Sequence, residues 1–234
     1  MTAIILAGGK GTRLAPFVAP KCLLTVSGIS ILQRLLKHLY ESEHIRQAVI
    51  CTGYRASDIE ASVREHGWVE TGEGARMPVD CSNNGENAPM GARLLQARQE
   101  MGGNKDYGLG RVLIIYGDEL TDLDISKLLD RHGDCKGMTF TAAYANTAGG
   151  TVDIDADGRP HIVDEACRVI NIGFVVVEPA CWALLKPEDG LSDWINRVSE
   201  EHGKVRIYYH DGLRATINSL ADLRGAEEMW SNGR

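Results

Sequence analysis

The sequence has no C-x-x-C pair, and its six cysteines (Cys22, Cys51, Cys81, Cys135, Cys167 and Cys181) stand singly. That spacing argues against a disulfide framework or a cysteine-built zinc site and predicts reduced, mostly buried thiols. No apolar run approaches 18 residues, so no membrane-spanning helix is expected. Positive charge is in deficit: 25 Lys and Arg face 32 Asp and Glu, a formal net charge of −7. No basic face can dominate such a balance, which argues against a nucleic-acid partner but leaves room for a local pocket for a small anion. There is no internal repeat, low-complexity segment or linker. The seven histidines show no ligand spacing on one face, and neither a Ser-His-Asp nor a Cys-His arrangement has support. A glycine loop is reached by residue 8, which leaves no room for a signal peptide, so a cytoplasmic location is expected.

What is present is an ordinary globular composition, 44% hydrophobic and 24% charged over 234 residues, enough for one domain with a sizeable core. Strand-like and helical patterns alternate through the first half. Strands are expected at Ala3–Leu6, Ala48–Cys51, Val79–Cys81 and Arg111–Tyr116, with helices at Ile31–Leu39, Ser57–Glu65 (opened by the capping box S-D-I-E) and Met90–Glu100. From Met138 the pattern changes to strands joined by turns, including an expected hairpin turn at Asp155-Ala156-Asp157-Gly158. Helices follow at Pro179–Leu185, Leu191–His202 and Ser219–Asn232, with the strand V-R-I-Y-Y between the last two. The alternation predicts an α/β fold with a mostly parallel sheet and helices on both faces. One domain is expected, with a nucleotide-binding half at 1–137 and an acceptor-binding half at 138–234.

The stretch L-A-G-G-K-G-T-R-L-A-P-F-V-A-P-K (residues 6–21) follows the first strand. Ligands of open parallel sheets bind beyond the carboxyl ends of the strands, and glycines let backbone amides approach a phosphate. A dinucleotide fingerprint fails because Leu14 holds its third glycine position, and a Walker loop fails because Gly11 is followed by Thr12 and Arg13. What remains, G-G-x-G-T-R-L with a later P-K pair, resembles the sugar-phosphate nucleotidyltransferases, along essentially the whole chain. That resemblance implies a Rossmann-like, GT-A-like mixed sheet with a small acceptor-binding lobe. It also implies a Mg²⁺-dependent reaction between a nucleoside triphosphate and a sugar 1-phosphate, giving a nucleotide sugar and pyrophosphate.

By the same resemblance, Leu6, Ala7, Gly8, Gly9, Gly11 and Thr12 would lie against the nucleotide. Arg13 would hold the leaving pyrophosphate and Lys21 would neutralise the α-phosphate, which suits a transfer that is mostly positioning and electrostatics. The loop before Lys21 is two residues shorter than is usual in the family. Asp118, in the G-D pair ending the strongest strand, is implied as the metal ligand, and Mg²⁺ needs only one or two carboxylates beside substrate phosphates. Asp122 and Asp124 are expected to cap the next helix. The family's second metal aspartate is missing, since the register puts Thr216 in its place, with Asn218 and Ser219 following. Ser219 is expected to cap the last helix.

The acceptor would be held by Glu165, Asn171 and Gly173. The family's phosphate-binding lysine is replaced by Ala166, with Arg168 expected to substitute. Pro89-Met90-Gly91 resembles the core of the base-reading loop, with Glu86 facing the base edge. An ionised carboxylate only accepts hydrogen bonds, and guanine offers it two adjacent donors, so GTP is the expected donor with CTP behind it. Cytidylyl or uridylyl transfer to a sugar, cyclitol or non-sugar phosphate or phosphonate is the alternative within this class. A catalytically silent nucleotide-sugar sensor is the alternative outside it. The acceptor and the oligomeric state are left open.

Overall fold

A computed structural model of the protein describes residues 1–11, 19–66, 77–103, 110–145, 151–154, 160–163 and 168–231. In chain order the first half gives β1 (Thr2–Leu6), β2 (Thr25–Val26), β3 (Ile29–Ser30), α1 (Ile31–Glu41), β4 (Gln47–Thr52) and α2 (Ala56–His66). It continues with β5 (Val79–Asn83), α3 (Met90–Gly103), β6 (Val112–Tyr116), β7 (Glu119–Thr121) and α4 (Ile125–His132). The second half gives β8 (Met138–Ala145), β9 (Thr151–Ile154), β10 (Pro160–Val163), β11 (Arg168–Val177), α5 (Leu191–His202), β12 (Val205–Tyr209), β13 (Arg214–Thr216) and α6 (Leu220–Ser231).

Seven strands form one sheet in the order β12-β8-β11-β6-β1-β4-β5, so both halves of the chain contribute to it. β1 pairs in parallel with β4 and β6, β4 with β5, and β8 with β12. Only β11 runs against its neighbours β6 and β8, which makes the sheet mixed and mostly parallel, as expected. The apolar runs feed both faces because successive strand side chains alternate. Ala3 and Ile5 pack with α1, α2 and α4, whereas Ile4 packs with α3 and α5. Among the described residues no helix is long and apolar enough to cross a membrane.

Several expected boundaries move for local reasons. α2 begins at Ala56, so Ser57 lies inside its first turn and the S-D-I-E capping box does not form. The carbonyls of Gly53 and Arg55 take the amides of Ala56 and Asp58 instead. The Pro179 segment is a tight 3-10 turn, Pro179–Leu184. Asp124 caps α4 by accepting from the Lys127 amide at 3.1 Å, whereas Asp122 faces His210 at 3.2 Å. Ser219 caps α6 by accepting from the Asp222 amide, and the Asp222 carboxylate in turn accepts from the amides of Asn218 and Ser219. The Asp155–Gly158 turn lies outside the described residues, although the flanking β9 and β10 do pair antiparallel. The periodicity gave no sign of β7 or β13. Each is three residues long, and they form a ladder with each other, Thr216 opposite Glu119.

Candidate active site

The chain passes from β1 outward to β4 and β5, then returns to the other side of β1 as β6. A crevice therefore opens where Leu6-Ala7-Gly8 and Tyr116-Gly117-Asp118 leave the carboxyl ends of β1 and β6. It holds a cavity of about 440 Å³ lined by Leu6, Ala7, Gly8, Gly9, Gly11, Lys21, Glu86 and Asp118, together with Lys10 and Arg93. Thr12 and Arg13 lie outside the described residues.

Two of the loop glycines are explained by their neighbours. A Cβ on Gly8 would stand 2.1 Å from a guanidinium nitrogen of Arg93. Gly11 has a φ of +60°, and a Cβ there would press on the Lys21 stem at 2.9 Å. Arg93 had no sequence signal beyond its place on a helix, yet it is only 7% exposed. Its guanidinium donates to the carbonyls of Thr52, Ala88 (3.0 Å) and Glu86 (3.1 Å). It thus ties the 86–88 loop to the end of β4, with no carboxylate partner among the described residues. Glu86 itself is half exposed at the rim, 3.9 Å from Lys10, which also donates to Asn87. Gly91 does not face this cavity. Its amide donates to Asp189, and a Cβ there would stand 2.0 Å from the Lys186 carbonyl, so a side chain is excluded by the 186–190 loop. Pro89 lines neither this cavity nor the one described next.

Lys21 is the junction of the site. Its ammonium donates to Asp118 Oδ2 at 3.0 Å and to Asn218 Oδ1 at 2.9 Å. The β7–β13 ladder makes this convergence, and the amide of Ile217 donates to the Asp118 carbonyl. The expected register is therefore corrected: Asn218, not Thr216, stands beside Asp118. Thr216 instead donates its hydroxyl to Glu119 at 2.7 Å. Burial pushes the Glu119 carboxyl up to about 7, against the pull of that hydroxyl.

A second cavity of about 1040 Å³ adjoins the first and shares Met90, Tyr116 and Asp118 with it. Asn171 lines it, with its amide oxygen already taken by the Gly173 N–H at 2.8 Å. Gly173, at φ +78°, lies behind the Tyr116 ring, where a Cβ would come within 2.3 Å of the ring. The β11 register breaks between Asn171 and Val175, and Tyr116 walls both cavities. Arg168 opens β11 opposite Ala145. Glu165 lies outside the described residues.

Two oxygens, one carboxylate and one amide, thus converge on a single cation at the meeting point of two cavities above a Rossmann-like switch point. A family model described as nucleotidyl transferase matches residues 2–163. The chain belongs to the nucleotidyl transferase family. This nucleotidyl transferase is 26% identical to the "Probable glucose-1-phosphate cytidylyltransferase" of Bacillus subtilis, over 100% of this chain and 98% of that protein. It is 27% identical to the glucose-1-phosphate cytidylyltransferase of Salmonella typhimurium, over 100% and 97%. Among solved structures, a putative glucose-1-phosphate thymidylyltransferase from Bacillus anthracis shares the fold, with a TM-score of 0.75 and 18% identity over 100% of this chain and 96% of that one.

Proposed function

We propose that the protein transfers the cytidylyl group of CTP to a sugar 1-phosphate and releases pyrophosphate, with Mg²⁺ as cofactor. The observation that carries this reading is the Lys21–Asp118–Asn218 junction between the two cavities. A donor triphosphate in the glycine-loop cavity and an acceptor in the second would meet there. One acceptor phosphate oxygen forms a bond to the α-phosphorus as the bond to the β-phosphate oxygen breaks, and pyrophosphate departs with that electron pair. The acceptor phosphate is already anionic at neutral pH, so the step needs no general base. Lys21 would offset negative charge at the α-phosphate, a task of positioning and electrostatics.

The donor set suits Mg²⁺. Asp118 and Asn218 present hard oxygens that already converge on a cation, and Mg²⁺ takes few protein ligands when phosphates supply the rest. When bound, the ion would supply further neutralisation of the phosphate charge.

The base choice departs from the GTP expectation. At the rim, Glu86 offers an acceptor and Lys10 a donor. Cytosine answers with its N4 amine and its N3 and O2 acceptors, and guanine also complements this pair. Support for CTP comes from three relatives matched over nearly their full lengths, all of which carry the name cytidylyltransferase. Pyrophosphate release should be measured with each of four triphosphates against a panel of sugar 1-phosphates. CTP is expected to lead. A preference for GTP would restore the Glu86 reading, and no release with any pair would leave a silent nucleotide-sugar sensor.

A further inference from the structure

The second cavity contains three carboxylates, and each is already engaged. Asp118 is paired with Lys21, Glu119 accepts from Thr216, and Asp222 accepts from two backbone amides. Arg214 is the one cationic residue among the described residues that line this cavity. Its side chain makes no hydrogen bond or ion pair with a described residue, although its charge pulls the Glu119 carboxyl down against the effect of burial. β13 alternates, so buried Ala215 turns into the core while Arg214 and Thr216 share the other face with Glu119 and Thr121 of β7. A half-buried guanidinium with no hydrogen-bond acceptor among the described residues, at a cavity whose described acids each accept hydrogen bonds from other groups, is suited to an anion. Its planar fork matches two oxygens of a phosphate or phosphonate.

We infer that Arg214 binds the phosphate of the acceptor in the second cavity, the role expected of Arg168 from the sequence. This rests on the reading of that cavity as the acceptor side of the reaction. Arg214 and Asp118 both line it, which puts an oxyanion held by the guanidinium on the same side as the Lys21 junction. The acceptor class is a monoester or phosphonate with at least two free oxygens. A neutral sugar lacks what Arg214 recognises.

The test uses the full chain with Arg214→Ala, Arg214→Lys and Arg168→Ala. The acceptor probes are α-D-glucose 1-phosphate and methylphosphonate, with glucose as the neutral control. Calorimetry reads binding of each probe and, separately, of CTP with Mg²⁺. Steady-state assays read KM and kcat wherever transfer occurs. Wild type is expected to bind the two anions and not glucose. Arg214→Ala should weaken both anions by about tenfold or more, the scale of losing a hydrogen bond to a charged group, while CTP affinity stays within about twofold. Arg214→Lys should recover part of the loss, since the charge remains without the fork. Anion binding that survives Arg214→Ala, that falls only in Arg168→Ala, or that is absent from wild type overturns the assignment. Total absence of transfer with normal, Arg214-dependent anion binding would instead strike the proposed reaction and leave the subsite standing.

Discussion

Lys21 and Asp118 are 16% and 27% exposed at the side chain, so their pairing is partly screened from water and the charge on each matters to the other. Asp118→Asn keeps the shape and removes the charge. It should lower kcat by roughly two orders of magnitude, as loss of a preorganised electrostatic contact does, and flatten the Mg²⁺ response with the circular dichroism unchanged. A near-normal rate at low Mg²⁺ would remove Asp118 from the metal site. Arg93 acts at one remove. Arg93→Met takes a donor from three carbonyls, two of them in the loop that carries Glu86. The CTP KM should rise by about tenfold, and amides around residues 86–88 should exchange faster, with the acceptor KM unmoved. Glu86→Gln offers a test of the rim itself. Adding a donor while keeping the shape should shift the ranking of triphosphates by kcat/KM, and an untouched ranking would show that this side chain does not read the base.

Helix α4 ends at His132, which is wholly buried against β8 and the residue after β11. The ring bonds Thr139 at 2.8 Å and Glu178 at 3.0 Å. Burial pushes the imidazole below its ordinary value, Arg111 and Arg206 add to this, and Glu178 opposes it. Burial alone would raise Glu178, but its bonds from His132 and Arg111 outweigh that and hold it low. The unfolded chain therefore takes up the histidine proton first as pH falls. The contribution of His132 to stability is complete above about pH 6.5 and is lost as pH drops through the lowered folded value. The melting temperature should fall between pH 7 and 5.5, and His132→Gln should melt with a shallower slope over that window. Parallel slopes would place the titration elsewhere.

Across the whole molecule, the two cavities share Asp118 but are built from different stretches of chain. The first is lined from the ends of β1 and β6 and from residues 86–93, and the second from β7, β11, β13 and α6. A ligand that binds the folded state alone stabilises it by mass action, by about 2.7 kcal/mol at one hundred times its dissociation constant. For a chain of this size each kcal/mol raises the melting temperature by about 2–4 °C. CTP with Mg²⁺ at that excess should therefore raise it by several degrees, and chelation of Mg²⁺ should remove most of the gain. An equal rise with the chelator present would mean that the metal plays no part in nucleotide binding.

The sequence by itself determined the elements that bury a face and singled out the glycine loop that lines the first cavity. Ile4-Ile5 and the Val112–Tyr116 run read as strands because they are apolar on both sides. Leu32, Leu35, Leu36 and Leu39 read as a helix because their spacing is helical, and each of these periods is a local property of the chain. The glycines, Lys21 and Asp118 stood out in the sequence because they lie in short motifs, and the fold brings them to one cavity. Only the tertiary structure decided their partners. Lys21 meets Asn218 across 197 residues, and Thr216 meets Glu119 across 97. The β7–β13 ladder is too short to leave a period, and a one-residue change of register turns each of its side chains to the other face. That choice set Asn218 beside Asp118, gave Thr216 to Glu119 and left the Arg214 guanidinium without a hydrogen-bond acceptor among the described residues. Arg93 was hidden for the same reason, since its function lies in three carbonyls supplied by a loop and a strand end brought together by folding.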